Sequence, residues 1–172
     1  LSMQGKVILI TGASSGIGLA TAKKLAAEGA RILGVARDEK RLQDAFASLG
    51  HGHSAQILDV AQLDSFAGFV GGMPEVDGVV HAAGETDHLP LRNVKKSDLE
   101  RVMTPHLYAP LLLTTELLRA RKLKHGGSVV FISSTAAEGA ERGLGLYGLA
   151  KSGLQTLAKS LTAEFLAQTK IR

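Results

Sequence analysis

Five short, almost uninterrupted apolar runs alternate along this chain with longer segments whose apolar residues recur at helical spacing. Strands that are buried on both faces have this continuous apolar pattern, which is typical of parallel sheets covered by helices. The alternation predicts right-handed βαβ units and therefore an α/β fold with a doubly wound parallel sheet in three layers. Ligands of such sheets bind beyond the carboxyl ends of the strands, so the residues that follow each strand are the functional candidates.

The 172 residues contain no linker and no repeat, and their number suits one domain, so we expect residues 1–172 to form a single domain. The predicted strands are Lys6–Thr11, Arg31–Ala36, His53–Leu58, Val76–His81 and Ser128–Ser133. The predicted helices are Gly16–Glu28, Glu39–Leu49, Gln62–Gly71, Ser97–Lys124 and Leu146–Gln168.

Composition argues against several classes of protein. The chain has no Cys and no Trp, which excludes disulfides and thiolate metal sites and leaves few platforms for stacking nucleobases. The net charge of +4 includes one dense basic run, Arg119–His125, interpreted as cations at a helix C-terminus rather than as a nucleic-acid patch. The longest apolar stretch is interrupted at Thr114–Glu116, which makes it too short to span a membrane. We therefore expect a cytoplasmic protein that binds neither nucleic acid nor membrane.

A glycine-rich turn, Thr11-Gly-Ala-Ser-Ser-Gly-Ile-Gly18, joins the first predicted strand directly to the first helix. Glycines let such a turn tighten and let the backbone approach a pyrophosphate, while the helix N-terminus presents free N–H groups and a positive dipole end. A tight turn without a ligand is the alternative interpretation.

Tyr147 and Lys151 are spaced i, i+4 on the last predicted helix and therefore share one face. An ammonium group next to a phenol stabilises the phenolate form and suits proton transfer to or from a substrate oxygen. Ser134 follows the fifth predicted strand, and its hydroxyl can hydrogen-bond a substrate carbonyl. By contrast, His51 and His53 have a metal-like spacing but no carboxylate or Cys partner nearby, so we expect no metal site.

These motifs resemble those of the short-chain dehydrogenase/reductase family, with its T-G-x-x-x-G-x-G loop and its Ser and Tyr-x-x-x-Lys set. The resemblance extends over essentially the whole chain and implies a Rossmann-type fold. It implies catalytic roles for Ser134, Tyr147 and Lys151, the last two also contacting the cofactor. It implies that the cofactor pyrophosphate is bound by Gly12, Ser14, Ser15, Gly16, Ile17 and Gly18.

The resemblance also implies further cofactor contacts at the ends of the other strands, at Asp59, Val60, Ala82, Ala83 and Gly84. NAD-dependent members typically carry an acidic residue at the end of the second strand, where this chain has Ala36 followed by Arg37. A guanidinium group at this place can bind a 2′-phosphate by charge-assisted hydrogen bonds, so we expect NADP(H), with NAD(H) as the alternative. The alternative for Arg37 is a solvated loop residue, and the alternative for Asp59 is a turn cap.

The chain departs from the family pattern at two places. His81-Ala82 stands where relatives have an Asn pair, so the strand-tying role of those amides must be performed otherwise. His106 stands where relatives have a catalytic Asn, with Pro105 before it and Pro110 four residues beyond. Because proline has no N–H, we expect these prolines to bend the helix and free the His106 carbonyl for a water that links to Lys151. The alternative is that the prolines only shape the helix.

Family members continue past the point that matches Arg172 into a sixth strand, a substrate-covering loop and a seventh strand. We therefore expect either that this sequence is part of a longer chain or that a partner supplies the missing sheet edge. The resemblance also implies a homodimer or homotetramer through the helices Ser97–Lys124 and Leu146–Gln168, the most apolar helices predicted here.

The function that these residues predict is hydride transfer between NADP(H) and a small-molecule carbonyl or alcohol substrate, with Tyr147 as proton donor or acceptor. One alternative is an NADP(H)-binding sensor or scaffold with little turnover, which the departures at His81 and His106 favour. A second is an epimerase or dehydratase of the extended relatives, whose loop has a different glycine spacing.

Overall fold

The computed structural model describes residues 2–86, 88–139 and 141–172. Its strands are β1 (Val7–Thr11), β2 (Arg31–Ala36), β3 (Ser54–Ile57), β4 (Val76–His81) and β5 (Leu123–Phe131). Its α-helices are α1 (Gly16–Ala27), α2 (Glu39–Ala47), α3 (Phe66–Gly72), α4 (Lys96–Met103), α5 (Ala109–Arg119) and α6 (Gly145–Thr169). A π-helical turn (Thr104–Tyr108) joins α4 to α5.

The five strands form one parallel sheet in the order β3-β2-β1-β4-β5. This confirms the predicted Rossmann-type doubly wound fold. The strand order reverses at β1, where Thr11 is paired with Val35 on one side and with His81 on the other. The carboxyl ends of β1 and β4 therefore flank the crevice in which folds of this kind bind their ligands.

Each face of the sheet carries its own apolar core because the strands are buried on both sides. On one face α3 and α5 pack on β1 and β4 through a cluster that includes Leu9, Val79 and Leu113. On the other face α2 packs on β1 and β2 through Ile10 and Leu42.

The prediction of one helix over Ser97–Lys124 was wrong at its C-terminal end. The helix ends at Arg119, Arg121 takes a left-handed conformation with φ of 52°, and the chain enters β5 at Leu123. The basic run thus crosses from a helix end into a strand. Two of its cations have partners within the chain, since Lys122 Nζ donates to the Met73 carbonyl and Lys124 Nζ lies 3.1 Å from Asp77 Oδ2.

β5 also ends earlier than predicted, at Phe131, so Ser133 lies in the segment that follows the strand. At the outer edge of β5, Val129 donates a backbone hydrogen bond to the Arg172 carbonyl, and Arg172 donates to Gly127. Ile171 is buried in the same core as α3 and α5. The last two residues therefore extend the pairing beyond the fifth strand.

Candidate active site

The glycine-rich loop is built by close backbone contacts between β1, α1 and the end of β4. Gly12 has a φ of 68°, and a Cβ there would lie 2.8 Å from the Cα of Ala83. A Cβ at Gly18 would overlap the Gly12 carbonyl oxygen. Gly16 has a φ of 52°, and a Cβ there would meet no atom within 4 Å. Gly12 and Gly18 hold the loop tight, whereas Gly16 borders open space.

The N-terminus of α1 opens into that space. The first i→i−4 hydrogen bond of α1 runs from the Leu19 N–H to the Ser15 carbonyl. The N–H groups of Gly16, Ile17 and Gly18 therefore have no partner within the helix. The first turn contains no acidic residue, and the Ser15 side chain makes no capping hydrogen bond. These features fit the pyrophosphate of a dinucleotide, which would accept hydrogen bonds from the free N–H groups and be stabilised by the positive end of the helix dipole.

The strand-tying role is performed by Thr11, which the sequence analysis missed. Its Oγ1 accepts hydrogen bonds from the backbone N–H groups of Ala82 and Ala83, at 3.1 and 3.2 Å. One hydroxyl thus joins the carboxyl ends of β1 and β4 directly beneath the glycine loop. The Thr-Gly dipeptide at the end of β1 was the sequence signal for this role, but the spacing of residues could not show that the Thr11 hydroxyl contacts Ala82 and Ala83.

His81 is buried, with 4% of its surface exposed, and its ring lies between two neighbours. Nε2 is 2.9 Å from Thr114 Oγ1 on α5, and the ring stacks on Phe131 of β5 with centroids 5.1 Å apart. Burial lowers the pKa of His81 to about 3, so the ring is neutral at physiological pH. His81 therefore links β4 to α5 and β5.

Ser134 and Tyr147 are carried by two elements in direct contact. Ser134 begins a short 3₁₀ turn, and its Oγ accepts a hydrogen bond from the Ala136 N–H at 3.2 Å. Gly148, the residue after Tyr147, packs so closely that a Cβ there would overlap the Ala136 carbonyl oxygen. Because the Ser134 oxygen already accepts one bond, its own proton can be directed at a substrate oxygen.

Lys151 is buried one helical turn beyond Tyr147, with 6% of its surface exposed. Its Nζ donates to the Ile132 carbonyl at 2.7 Å and lies 5.5 Å from the centroid of the Tyr147 ring. Ser133 Oγ donates to the Lys151 carbonyl at 3.2 Å, which fixes this turn of α6 against the end of β5. Burial lowers the pKa of Lys151.

The π turn places the His106 imidazole between Tyr147 and the end of β4. Its ring meets the Tyr147 ring edge-on, with centroids 5.0 Å apart, and a Cβ on Gly84 would overlap it. Nε2 is 2.8 Å from the Glu85 carbonyl oxygen. A carbonyl only accepts, so Nε2 carries the proton in this contact. Regular α-helical bonding is interrupted beside the prolines, since Ala109 donates to the Thr104 carbonyl, one residue further back than in an α-helix. The bend and the water link from the His106 carbonyl to Lys151 stay predictions.

At the end of β2, Ala36 is buried and Arg37 is exposed. The Arg37 guanidinium lies 3.2 Å from a carboxylate oxygen of Glu85. Glu85 is a second residue that the sequence analysis missed, since its partner is 48 positions away in the chain.

After β3, Asp59 Oδ1 accepts from the Ala61 N–H at 3.0 Å, as expected of a turn cap. Val60 packs against the core beneath α3 and α5. The cofactor contact of Asp59 stays a prediction.

The residues that the structure describes contain no group of three or more His, Asp or Glu side chains able to hold a metal ion. His53 Nδ1 instead accepts a hydrogen bond from the Ile32 N–H at 3.1 Å. Among the described helices, none combines the length and apolarity that crossing a bilayer requires.

The parallel sheet reverses its strand order at β1, and the glycine loop lies in the crevice formed there. Ser134, Tyr147 and Lys151 lie at the same edge of the sheet. Together these features define a Rossmann-type α/β protein with a candidate oxidoreductase site. The family model for short chain dehydrogenases matches residues 6–172. The chain therefore belongs to the short-chain dehydrogenase family.

Its relatives include the 3-oxoacyl-(acyl-carrier-protein) reductases FabG of Salmonella typhimurium and Escherichia coli. Each is 32% identical over 168 residues, covering 95% of this chain and 69% of the relative. Similar solved structures include a short chain dehydrogenase/reductase family protein, with a TM-score of 0.92 and 31% identity over 100% of this chain and 73% of its own. A short-chain dehydrogenase from Streptomyces avermitilis has a TM-score of 0.89 and 32% identity, over 99% of this chain and 64% of its own.

Proposed function

We propose that this chain binds NADP(H) and reduces a carbonyl substrate, or oxidises the corresponding alcohol, with Tyr147 as the proton donor or acceptor. The observation that supports this most is the packing of Gly148 on the Ala136 carbonyl, which brings Tyr147 beside the turn that carries Ser134. The same helix buries Lys151 beneath the Tyr147 ring. A protein that only bound a dinucleotide would have no need of this proton-transfer set.

Each side chain has a part that follows from its surroundings. Ser134 directs its hydroxyl proton at the substrate oxygen and holds it in place. Tyr147 gives its phenolic proton to that oxygen in the reduction direction and takes it back in the oxidation direction. Lys151 keeps a positive charge close to the phenol, which favours the phenolate that remains. The nicotinamide, when bound, supplies or accepts the hydride.

The cofactor's contacts are proposed from the residues that line the crevice. The first-turn amides of α1, from Gly16 to Gly18, would bind the pyrophosphate, and Arg37 would bind the 2′-phosphate of NADP(H). The buried Ala36 offers no carboxylate to the ribose hydroxyls of NAD(H). These two residues support NADP(H) as the preferred cofactor.

We also propose that the protein self-associates as a homodimer or homotetramer. Large apolar side chains are exposed along α4, the π turn and α5, and on α6, which packs against α4 and the π turn. They are Leu99, Tyr108, Leu111, Leu112, Leu149 and Leu166.

Tyr147→Phe tests the catalytic proposal because it removes the phenolic proton and little else. We expect kcat to fall by at least about 10²-fold, the usual contribution of general acid–base catalysis, with the Kd for NADPH nearly unchanged. Oxidation of NADPH is followed over small ketones, quinones and β-ketoacyl thioesters, the last chosen because the FabG relatives are 3-oxoacyl reductases.

A comparable kcat in Tyr147→Phe would refute the assignment. Tight NADPH binding with no turnover over the whole panel would favour the sensor or scaffold alternative instead.

A further inference from the structure

Glu85 is placed over the cofactor crevice by a buried anchor. Its carbonyl oxygen accepts a hydrogen bond from His106 Nε2, and His106 is only 4% exposed. On the other side, the His106 ring packs against Gly84, which has a φ of 145° that side chains rarely adopt. The backbone at Glu85 is therefore held by the interior of the protein, although its carboxylate lies in solvent.

The carboxylate reaches across the crevice to Arg37. Arg37 follows β2 and Glu85 lies beyond β4, and these two strands flank β1. The 3.2 Å contact between them therefore spans the carboxyl end of β1, where the glycine loop begins. Both side chains are largely exposed, at 72% and 86%, so the pair can exchange partners readily.

We infer that Glu85 competes with the cofactor's 2′-phosphate for Arg37 and so limits the affinity of this chain for NADP(H). This inference rests on the proposed binding of a dinucleotide in the crevice. A 2′-phosphate that binds Arg37 must displace the Glu85 carboxylate, which then remains close to it as a like charge. A ribose with a free 2′-hydroxyl needs no such exchange. Glu85 is thus a specificity-determining residue that acts against the phosphorylated cofactor.

The test compares Glu85→Gln with the wild type by fluorescence titration with NADPH and NADH and by calorimetry with 2′,5′-ADP and 5′-AMP, at low salt. We expect Glu85→Gln to bind NADPH and 2′,5′-ADP about three- to fivefold more tightly, the range that loss of an exposed ion pair allows. Binding of NADH and 5′-AMP should change less than about twofold, because neither needs Arg37. The gain should shrink as salt rises.

Two controls separate this effect from a change in net charge or in the loop. Glu164→Gln removes the same charge from an exposed position on α6 and should leave all four affinities unchanged. In an Arg37→Ala background, Glu85→Gln should tighten NADPH relative to NADH clearly less than it does with Arg37 present, because only the like-charge repulsion is then relieved. Equal tightening of both dinucleotides, or a gain that is as large without Arg37, would overturn the inference.

The outcomes also distinguish this inference from the proposed function. If the wild type binds NADPH and Glu85→Gln binds it no better, only the competition is refuted. If the wild type prefers NADH and Glu85→Gln shifts the preference toward NADPH, the competition stands and the NADP(H) preference is wrong. If neither protein binds a dinucleotide, both proposals are wrong.

Discussion

At the scale of single residues, two imidazoles occupy places where family members carry amides. Both are buried, and both hydrogen-bond to groups of other segments, His81 to Thr114 and His106 to the Glu85 carbonyl. An imidazole can reproduce the hydrogen bond of an amide, but it adds a titratable group, and burial lowers the pKa of His81 to about 3. The imidazole at position 81 therefore changes how the stability of the protein responds to acid.

His81 should make the protein less stable as the pH falls. In the unfolded chain its pKa is near the ordinary 6.5, whereas in the folded protein it is about 3. Between these values the unfolded state binds more protons, so the free energy of unfolding should fall by about 1.4 kcal/mol per pH unit through this group. Urea denaturation at several pH values between 7 and 4 measures this slope.

His81→Asn should flatten that slope, since the amide does not titrate. His125→Asn, at an exposed position, is the matched control and should keep the wild-type slope. An unchanged slope in His81→Asn would show that the acid sensitivity has another origin.

His106→Asn should retain most of the kcat. The amide can also donate to the Glu85 carbonyl, and the sequence analysis assigns the water link to the His106 carbonyl rather than to its ring. Steady-state kinetics and NADPH binding of the Asn and Ala variants check this. If a folded His106→Asn protein were inactive, the imidazole itself would be the working group.

At the scale of secondary-structure elements, an acidic side chain ties three strands at the end of the sheet opposite the site. Asp77 of β4 accepts from the Val7 N–H of β1 at 2.9 Å and contacts Lys6 and Lys124 at 3.0 and 3.1 Å. Partial burial raises the pKa of Asp77, but the Val7 amide and the two ammonium groups outweigh it and hold the pKa at about 2. This contact joins the starts of β1 and β4 to β5.

Asp77→Asn should destabilise the protein by about 2 kcal/mol at pH 7, as follows from a carboxyl pKa lowered from 3.8 to about 2. The stabilisation is complete above the unfolded pKa and is lost as the pH falls through the folded one. The difference between variant and wild type should therefore shrink below pH 4 in urea titrations. Asp44→Asn, which breaks an exposed pair with Lys40, should change the stability far less, because solvent screens that pair. Equal losses in the two variants would contradict the role of Asp77.

The contrast between β1 and β5 shows what the sequence could predict. β1 begins within one residue of its predicted start, because its apolar run is continuous. The first half of β5 contains Lys124, His125 and two glycines, so it has no strand pattern, and it is fixed by pairing with β4 and by the Asp77 contact. Likewise, the i, i+4 spacing placed Tyr147 over Lys151, whereas the contact of Glu85 with Arg37 depends on tertiary structure.

At the scale of the whole molecule, several large apolar side chains on α4, the π turn, α5 and α6 stay exposed to solvent in a single protomer. Leu149 is 59% exposed on α6, and Leu112 is 38% exposed on α5. Scattered apolar residues are common on surfaces, but several on adjacent packed helices are typical of an interface. Their burial would occur on α6, which carries Tyr147 and Lys151, and on the α4–α5 segment near it, so association would stabilise the site.

Light scattering at micromolar concentration should therefore find a dimer or tetramer. Leu149→Asp should shift the protein toward monomer and lower kcat, because burying the carboxylate in the interface without an opposite charge is unfavourable. Ile57→Asp, at an equally exposed apolar residue on β3, should leave the assembly unchanged. A strictly monomeric wild type, or equal dissociation in both variants, would contradict the proposed interface.

The π turn between α4 and α5 makes the count of residues as important as their identity. The hydrogen bond from Ala109 to Thr104 encloses five residues, where an α-helical bond encloses four. Deleting one residue within this turn would restore ordinary α-helical spacing, so α5 would present the same face to the sheet and Thr114 would stay beside His81. Deleting one residue between Ala109 and Thr114 would instead rotate Thr114 by about 100° away from His81. Single-residue deletions among homologues should therefore fall in the π turn rather than within the first turns of α5.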